Sequence, residues 1–314
     1  MRFLRILILA LGSATLALSL LGYLDDRFWS AEIASSLRAH LLISALALAL
    51  VAFIARSFVG AGLAVLALAL NAIVLVPFFT GDLAAASGPE RLLIAHVNMQ
   101  HHDGDFEVVR RALEDREPDV LVILEPSRAW TSKTSPSGYR VFVRDGRPEP
   151  RILIFARERV SNVGFPFDPT FPTASVTFDV ELGDGLLVHA LAVHTAAPTT
   201  QGGRAVRNRE LDAASTWARR SLTPTVVFGD LNATPWSTAL QRLEDSADLR
   251  NSTYGYGVQA TWPTRAGPLG VPIDQLLHSR GLTVTDRATG PSFGSEHRSL
   301  WVTIARASDR QAPG

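Results

Sequence analysis

The stretch TVVFGDLN, Thr225 to Asn232, carries an apolar run that stops at Gly-Asp-Leu-Asn rather than at an ordinary solvated turn. Apolar residues in a short block of this kind mark a buried strand. A carboxylate and an amide two residues apart at its tip are costly to desolvate unless something binds there.

The same ending recurs along the chain. IAHVNMQ delivers Asn98, VLVILEP delivers Glu125 after five apolar residues, and LLVHALAVHT delivers His194. VPIDQLL puts Asp274 near a strand start, and GSEHRSLWVTI puts Glu296 and His297 just before a last strand. Each residue alone has an ordinary explanation as a helix cap, a turn, a solvated strand end or a partly buried histidine. Together they are carboxylates, amides and imidazoles at the ends of separate apolar strands, which two packed sheets can bring to one rim. Hard oxygen donors without thiolates suit Mg²⁺ or Mn²⁺ better than zinc.

Between these points strand-like and helix-like periods alternate. FEVVRRALEDR reads as an amphipathic helix, RAVRNRELDAASTWARR as a helix and PWSTALQRLE as a short helix, whereas YRVFVRD and RILIFAR pair around GRPEP. ASVTFDVEL and GLLVHALAVH form a second hairpin around Gly-Asp-Gly, a strong turn signal. Many strands with few helices predict two packed sheets covered by helices, an α/β sandwich. The aromatic loop NSTYGYGVQATWP, residues 251–263, fits either a substrate-facing loop or packing.

The N-terminal quarter differs. No charge occurs from Ile6 to Leu24, from Leu41 to Ala55 or from Ser57 to Gly81. About 17–25 mostly apolar residues cross a bilayer, so residues 1–80 are expected to form a membrane anchor of three transmembrane helices. A cleaved signal peptide would not bring two further apolar segments. Arg2, Arg5 and Arg56 face a slightly acidic first loop, which places the N-terminus inside and everything after Thr80 outside. Residues 81–90, rich in small residues, are expected to form a linker, and 91–308 the domain that follows it.

The chain has 314 residues, 30 Lys and Arg against 30 Asp and Glu, and no cysteine. Disulfides and thiolate metal sites are thereby excluded. From Gly81 onward, 25 basic residues meet 27 acidic ones, and Lys133 is the single lysine. Such a balance argues against a grip on long nucleic acid.

GDLN, IDQLL and the Ser-Glu-His triplet, with HVNMQ and VILEP before them, resemble the ordered motifs of the endonuclease/exonuclease/phosphatase superfamily. AVRNREL and the stretch from ATWPT to PIDQLLHS resemble its membrane-anchored bacterial subgroup. The resemblance implies a DNase I-like four-layered α/β/β/α sandwich and metal-dependent hydrolysis of a phosphoester. It implies Glu125 as main metal ligand with Asn98, Asp230 as the group that orients or deprotonates water, and Asn232 as a phosphate holder. His297, oriented by Asp274, is implied to contact the scissile phosphate together with His194. Glu296 departs from the family's usual Asp and is carried over as a third metal ligand.

Arg204, Arg207 and Asn208 lie on the helix after His194, where Arg can clamp phosphate bidentately; a solvated helix face is the other reading. The expected partner is a phosphorylated substrate: a nucleic acid, a phospholipid head group or a small metabolite. The expected location is a bacterial inner membrane with the catalytic domain extracytoplasmic. A catalytically silent ligand-binding member, favoured by Glu296, is the alternative. A transporter is disfavoured because the spans carry no acid or base.

Overall fold

The structure, a computed structural model, describes residues 2–81, 84–131, 136–144, 152–165, 175–183 and 185–308. The chain begins with α1 (Arg2–Leu21), α2 (Trp29–Ser36), α3 (Arg38–Ile54) and α4 (Phe58–Thr80). The first helix, extended by a 3₁₀ turn to Leu24, and α4 are each long and apolar enough to cross a membrane. The middle segment differs from the expected straight span. Helices α2 and α3 meet at 59° across Leu37 and count as a third span only as a bent pair. By itself α3 has 17 residues, which rise about 25 Å against a hydrocarbon core of about 30 Å.

Ile6, Leu46, Phe53, Val65 and Ile73 are exposed on these helices, as an apolar solvent would require. Inside the bundle Gly60 lets Ile8 approach, since a Cβ there would lie 2.5 Å from Ile8 Cγ2. Asn71 Nδ2 donates to Ser19 Oγ at 2.8 Å, joining α4 to α1.

The remainder runs β1 (Leu92–Asn98), α5 (Phe106–Arg116), β2 (Val120–Leu124), α6 (Arg128–Thr131), β3 (Arg140–Arg144), β4 (Ile152–Ala156), β5 (Val160–Gly164), β6 (Ser175–Glu181) and β7 (Leu187–Val193). It continues through α7 (Gln201–Arg220), β8 (Thr225–Asp230), α8 (Thr238–Ala247), β9 (Leu249–Asn251), β10 (Asp274–Ser279), β11 (Leu282–Thr289) and β12 (Leu300–Arg306). One sheet has the order β11-β12-β1-β2-β4-β3 and the other β5-β6-β7-β8-β10-β9.

Both expected hairpins form: β3 with β4, and β6 with β7. The GRPEP turn lies outside the described residues. The short β5 and β9 were not anticipated. In β5, exposed Ser161 and Asn162 hide the alternation, and β9 has only three residues.

Side-chain alternation builds the layers. Val226 and Phe228 point between the sheets into a core with Ile94, Val122, Ile154, Phe178 and Val302. Val227 and Leu231 point the other way, onto Leu211 and Ala214 of α7 and Leu240 of α8. On the far side, Val97, Leu121 and Phe155 pack against Val109, Leu113 and Trp130. The result is the predicted four-layered sandwich. Each fully buried Val, Leu, Ile or Phe contributes about 1.5–3 kcal/mol.

Each sheet contains one parallel pair, β1 with β2 and β7 with β8, joined by a helical crossover. Parallel neighbours end on the same edge, so Asn98 lies beside Leu124 and the residue after it, Glu125. In the second sheet His194 follows β7 while Asp230 ends β8, with Asp274 of antiparallel β10 opposite it.

One buried acid lies away from this edge. Glu244 of α8 is buried, and burial lifts its pKa from 4.5 to about 8, with Asp245 adding to the rise and the Asn251 amide, Arg250 and Arg280 opposing it. The folded form holds this proton more tightly than the unfolded chain, so stability falls as pH rises between those values. In detergent micelles, thermal denaturation of the full chain should show this decline from pH 5 to 8. Glu244→Gln should flatten it and be the more stable protein at pH 8.

Candidate active site

Gly229 explains why the opening stretch bends as it does. Its φ is +132°, and a Cβ there would lie 2.1 Å from the Val193 carbonyl oxygen of β7. Only glycine tolerates that approach. It lets β8 close on β7, and the next residue, Asp230, emerges buried beside His194.

Asp230 is held from several sides. Asn98 Nδ2 donates to its Oδ2 at 2.9 Å across the gap between the sheets. His194 Nε2 lies 3.5 Å and His297 Nε2 3.8 Å from the same oxygen. The backbone N–H of Asn232 donates to Oδ1 at 3.1 Å. His194 Nδ1 stands 3.3 Å from Glu125 Oε1, so one imidazole links two carboxylates from different sheets. His297 Nδ1 donates to Asp274 Oδ2 at 2.9 Å, with both residues buried.

The electrostatics follow from burial and pairing. Burial by itself would lower the pKa of His297, but Asp274 and Asp230 raise it to about 9. Burial would raise Asp274, yet His297 and His96 hold it below the ordinary carboxylate value. For His194, burial opposes charge but Glu125 and Asp230 win, and its pKa rises. Glu125 is lowered, because His194, His101 and His297 outweigh its burial. Asp230 goes up: burial dominates and Asp274 adds to it against the pull of the histidines.

Left-handed backbone turns aim two of these groups. Glu125 has φ +49° and Asn232 φ +47°. The side chain of Asn232 donates to the Thr195 carbonyl at 2.8 Å. Ser295 ties the last strand to the site: its Oγ donates to the Asn98 carbonyl at 2.5 Å and accepts the His297 N–H at 3.0 Å.

Asn98, Glu125, His194, Asp230, Asn232, Asp274 and His297 therefore converge as the sequence predicts. Four expected residues do not join them. Glu296 turns outward and pairs with exposed Arg265, its Oε1 lying 3.3 Å from Arg265 Nη1. Arg207 is fully buried, which removes it from any phosphate clamp. Its Nε donates to Asn208 Oδ1 at 2.9 Å, so Asn208 is also engaged inside the protein. Arg204 is buried too, against Glu32 of α2.

Two histidines complete the cluster without having been singled out in the sequence. His96 Nε2 lies 3.5 Å from Asp274 Oδ1. Its signal was its place two residues before Asn98, on the same strand face. His101, more than half exposed, reaches to 3.9 Å from Glu125 Oε2; it sits in a turn, where no periodicity points to it.

Asp230, Asp274 and His297 offer ligand atoms within 4.8 Å of one another. The wider edge adds Glu125 and the amide oxygen of Asn98, which accepts the Gln100 N–H at 2.9 Å. Three carboxylates and an amide form a hard, oxygen-rich set that fits a divalent cation.

The family model described as the endonuclease/exonuclease/phosphatase family matches residues 95–309, more than half of the chain. The chain belongs to that family. Members are phosphodiesterases, nucleases and phosphatases, and this chain is a hydrolase of phosphoester bonds. Solved structures share the fold at low identity. D. rerio TDP2, complexed with single-strand DNA product, is 17% identical, covers 69% of this chain and 99% of its own, with TM-score 0.55. The human Nocturnin catalytic domain with bound sulfate is 17% identical over 71% of this chain and 96% of its own, TM-score 0.54. A mannosyl-6-phosphatase of Bacteroides thetaiotaomicron is 15% identical over 68% and 99%, TM-score 0.50. No curated protein matches the chain significantly.

The role that the resemblance implies for charged His297 predicts activity that persists below its pKa and is lost above it. The kcat/KM profile of the wild type should hold until near pH 9. Asp274→Asn removes the main raising partner, so its alkaline limb should move down toward about 6.5. At pH 8, about 1.5 units beyond that limb, the variant should lose about 30-fold in kcat/KM.

Proposed function

We propose that this family member hydrolyses its phosphoester with a divalent cation, Mg²⁺ or Mn²⁺, at the extracytoplasmic face of a bacterial inner membrane. One observation carries the reading: Asp230, at the end of β8, lies within 4 Å of groups on both sheets, Asn98 from one and His194 from the other.

Glu125 and Asn98 would hold the cation, which when bound neutralises charge on the phosphate and leaving group. Asp230, bound by Asn98 on one oxygen and the Asn232 N–H on the other, presents a fixed carboxylate to an attacking water. His297, kept charged by Asp274 and Asp230, donates to the phosphate, joined by His194 and the Asn232 amide. Preorganised donors of this type contribute about 3–4 kcal/mol each.

The proposed organisation is an anchor over 1–80, a linker over 81–90 and a catalytic domain over 91–308. Its geometry supports one orientation. The end of α1, the short α2, the start of α3 and the end of α4 all meet the catalytic domain. Asp25 accepts the Thr238 N–H at 3.1 Å, the Ser35 carbonyl accepts from Trp236 Nε1 at 2.7 Å, and the Phe78 carbonyl accepts the Gly257 N–H at 2.8 Å. Arg2, Arg5 and Arg56 belong to the opposite ends, as a positive-inside arrangement demands. Of the aromatic loop 251–263, Tyr254 packs at this junction, stacked on Phe78 at 4.8 Å, while Trp262 lies beside His297 at 6.4 Å. The substrate is phosphorylated, and the near-neutral domain favours a phospholipid head group or a small metabolite over a long nucleic acid.

Full-length protein in micelles should hydrolyse bis-p-nitrophenyl phosphate with Mg²⁺ or Mn²⁺ and stop when the metal is chelated. Asp230→Ala should lose at least about 10²-fold in kcat. Wild-type protein inert toward this ester and toward nucleic acids, phospholipids and sugar phosphates would remove the proposal.

A further inference from the structure

Arg207 sits on α7 with no exposed surface, and its guanidinium is bonded at both ends. Nη1 donates to the backbone carbonyl of Asn232 at 2.8 Å. Nη2 donates to Glu32 Oε1, a carboxylate of the anchor's α2, 175 residues away in the chain. The other Glu32 oxygen accepts from Arg204 Nε at 3.0 Å, and Arg204 Nη2 donates to the Asp25 carbonyl at 2.7 Å. Glu32, Arg204 and Arg207 are all buried. Removing one partner from a buried ion pair leaves a charge without solvation, so their geometry is strongly coupled.

Asn232 needs that support. Its backbone is left-handed, φ +47°. Its N–H donates to Asp230 and one hydrogen of its side-chain amide donates to the Thr195 carbonyl, leaving the other free. Its carbonyl is the other backbone handle, and Arg207 holds it.

We propose that Glu32 is a positioning residue for the active site: acting through Arg207, it sets the Asn232 turn, so the anchor is part of the catalytic apparatus and not only its tether. This rests on the hydrolase reading, in which Asn232 faces phosphate. The geometry of a donor matters to rate because misplacement by about 1 Å costs up to about 10²-fold. Glu32 contacts no reacting atom, and its effect runs through the Asn232 peptide.

The test uses the full-length protein in micelles with Mn²⁺ and bis-p-nitrophenyl phosphate. Glu32→Gln should lower kcat about tenfold or more with KM within about threefold, since the lost contribution belongs to the transition state. Arg207→Lys keeps the charge but cannot span Glu32 and the Asn232 carbonyl together, and should behave alike. It carries the test if Glu32→Gln is recovered unfolded. The deciding readout is non-additivity: in an Asn232→Ala background, either change should cost less than about twofold more. A general loss of structure would instead lower kcat by the same factor in both backgrounds. Equal factors, or folded variants with wild-type kcat, overturn the proposal. An inactive wild type overturns the hydrolase reading instead, which separates the two failures.

Discussion

Asp230 is a carboxylate placed where water cannot solvate it, and the arrangement stands because cationic and amide groups reach it from both sheets. Asn98 crosses the inter-sheet gap to one oxygen, while His194 and His297 flank it. Isolated, such a charge would cost several kcal/mol. Two more carboxylates, Glu125 and Asp274, share the neighbourhood, each brought by another strand end. The acids raise the pKa of His194 and His297, and the histidines in turn lower those of Glu125 and Asp274. The edge is a mutually dependent set in which each charged group relies on its neighbours.

Much of this was legible because strands have a period of two and end abruptly. Alternation placed Val226 and Phe228 inward, and interruption of an apolar run marked Asn98, Glu125, His194 and Asp230 before any coordinates. Local pattern fails where the partner is remote. Both readings of Arg207, phosphate clamp and solvated helix face, placed it at the surface, yet it is buried and its counter-ion is Glu32 of α2. The bend between α2 and α3 has no proline or glycine to announce it. It arises from attachments of α2 that only the folded catalytic domain supplies, such as Glu32 to Arg204 and the Ser35 carbonyl to Trp236. Glu296 was carried over by its place beside His297, but its neighbour Arg265 draws it outward.

The inter-sheet core and the anchor junction rely on different physics. Between the sheets, burial of Ile, Val, Leu and Phe dominates and geometry is forgiving. At the junction the contacts are polar and directional: buried charges, caps and carbonyls, with Phe78, Tyr254 and Trp236 as the apolar seal. Polar contacts of this kind specify one docking pose.

That pose has a mechanical consequence. The 3₁₀ segment Thr264–Leu269 connects the rim, where the Thr264 N–H meets the Glu296 carbonyl, to the anchor, where His40 Nε2 meets the Leu269 carbonyl at 2.6 Å. Ala86 is also bridged to Ala307, so the connection from α4 is pinned to the last strand's end. A floppy stalk would let the cleft swing relative to the helices; this mount fixes its heading.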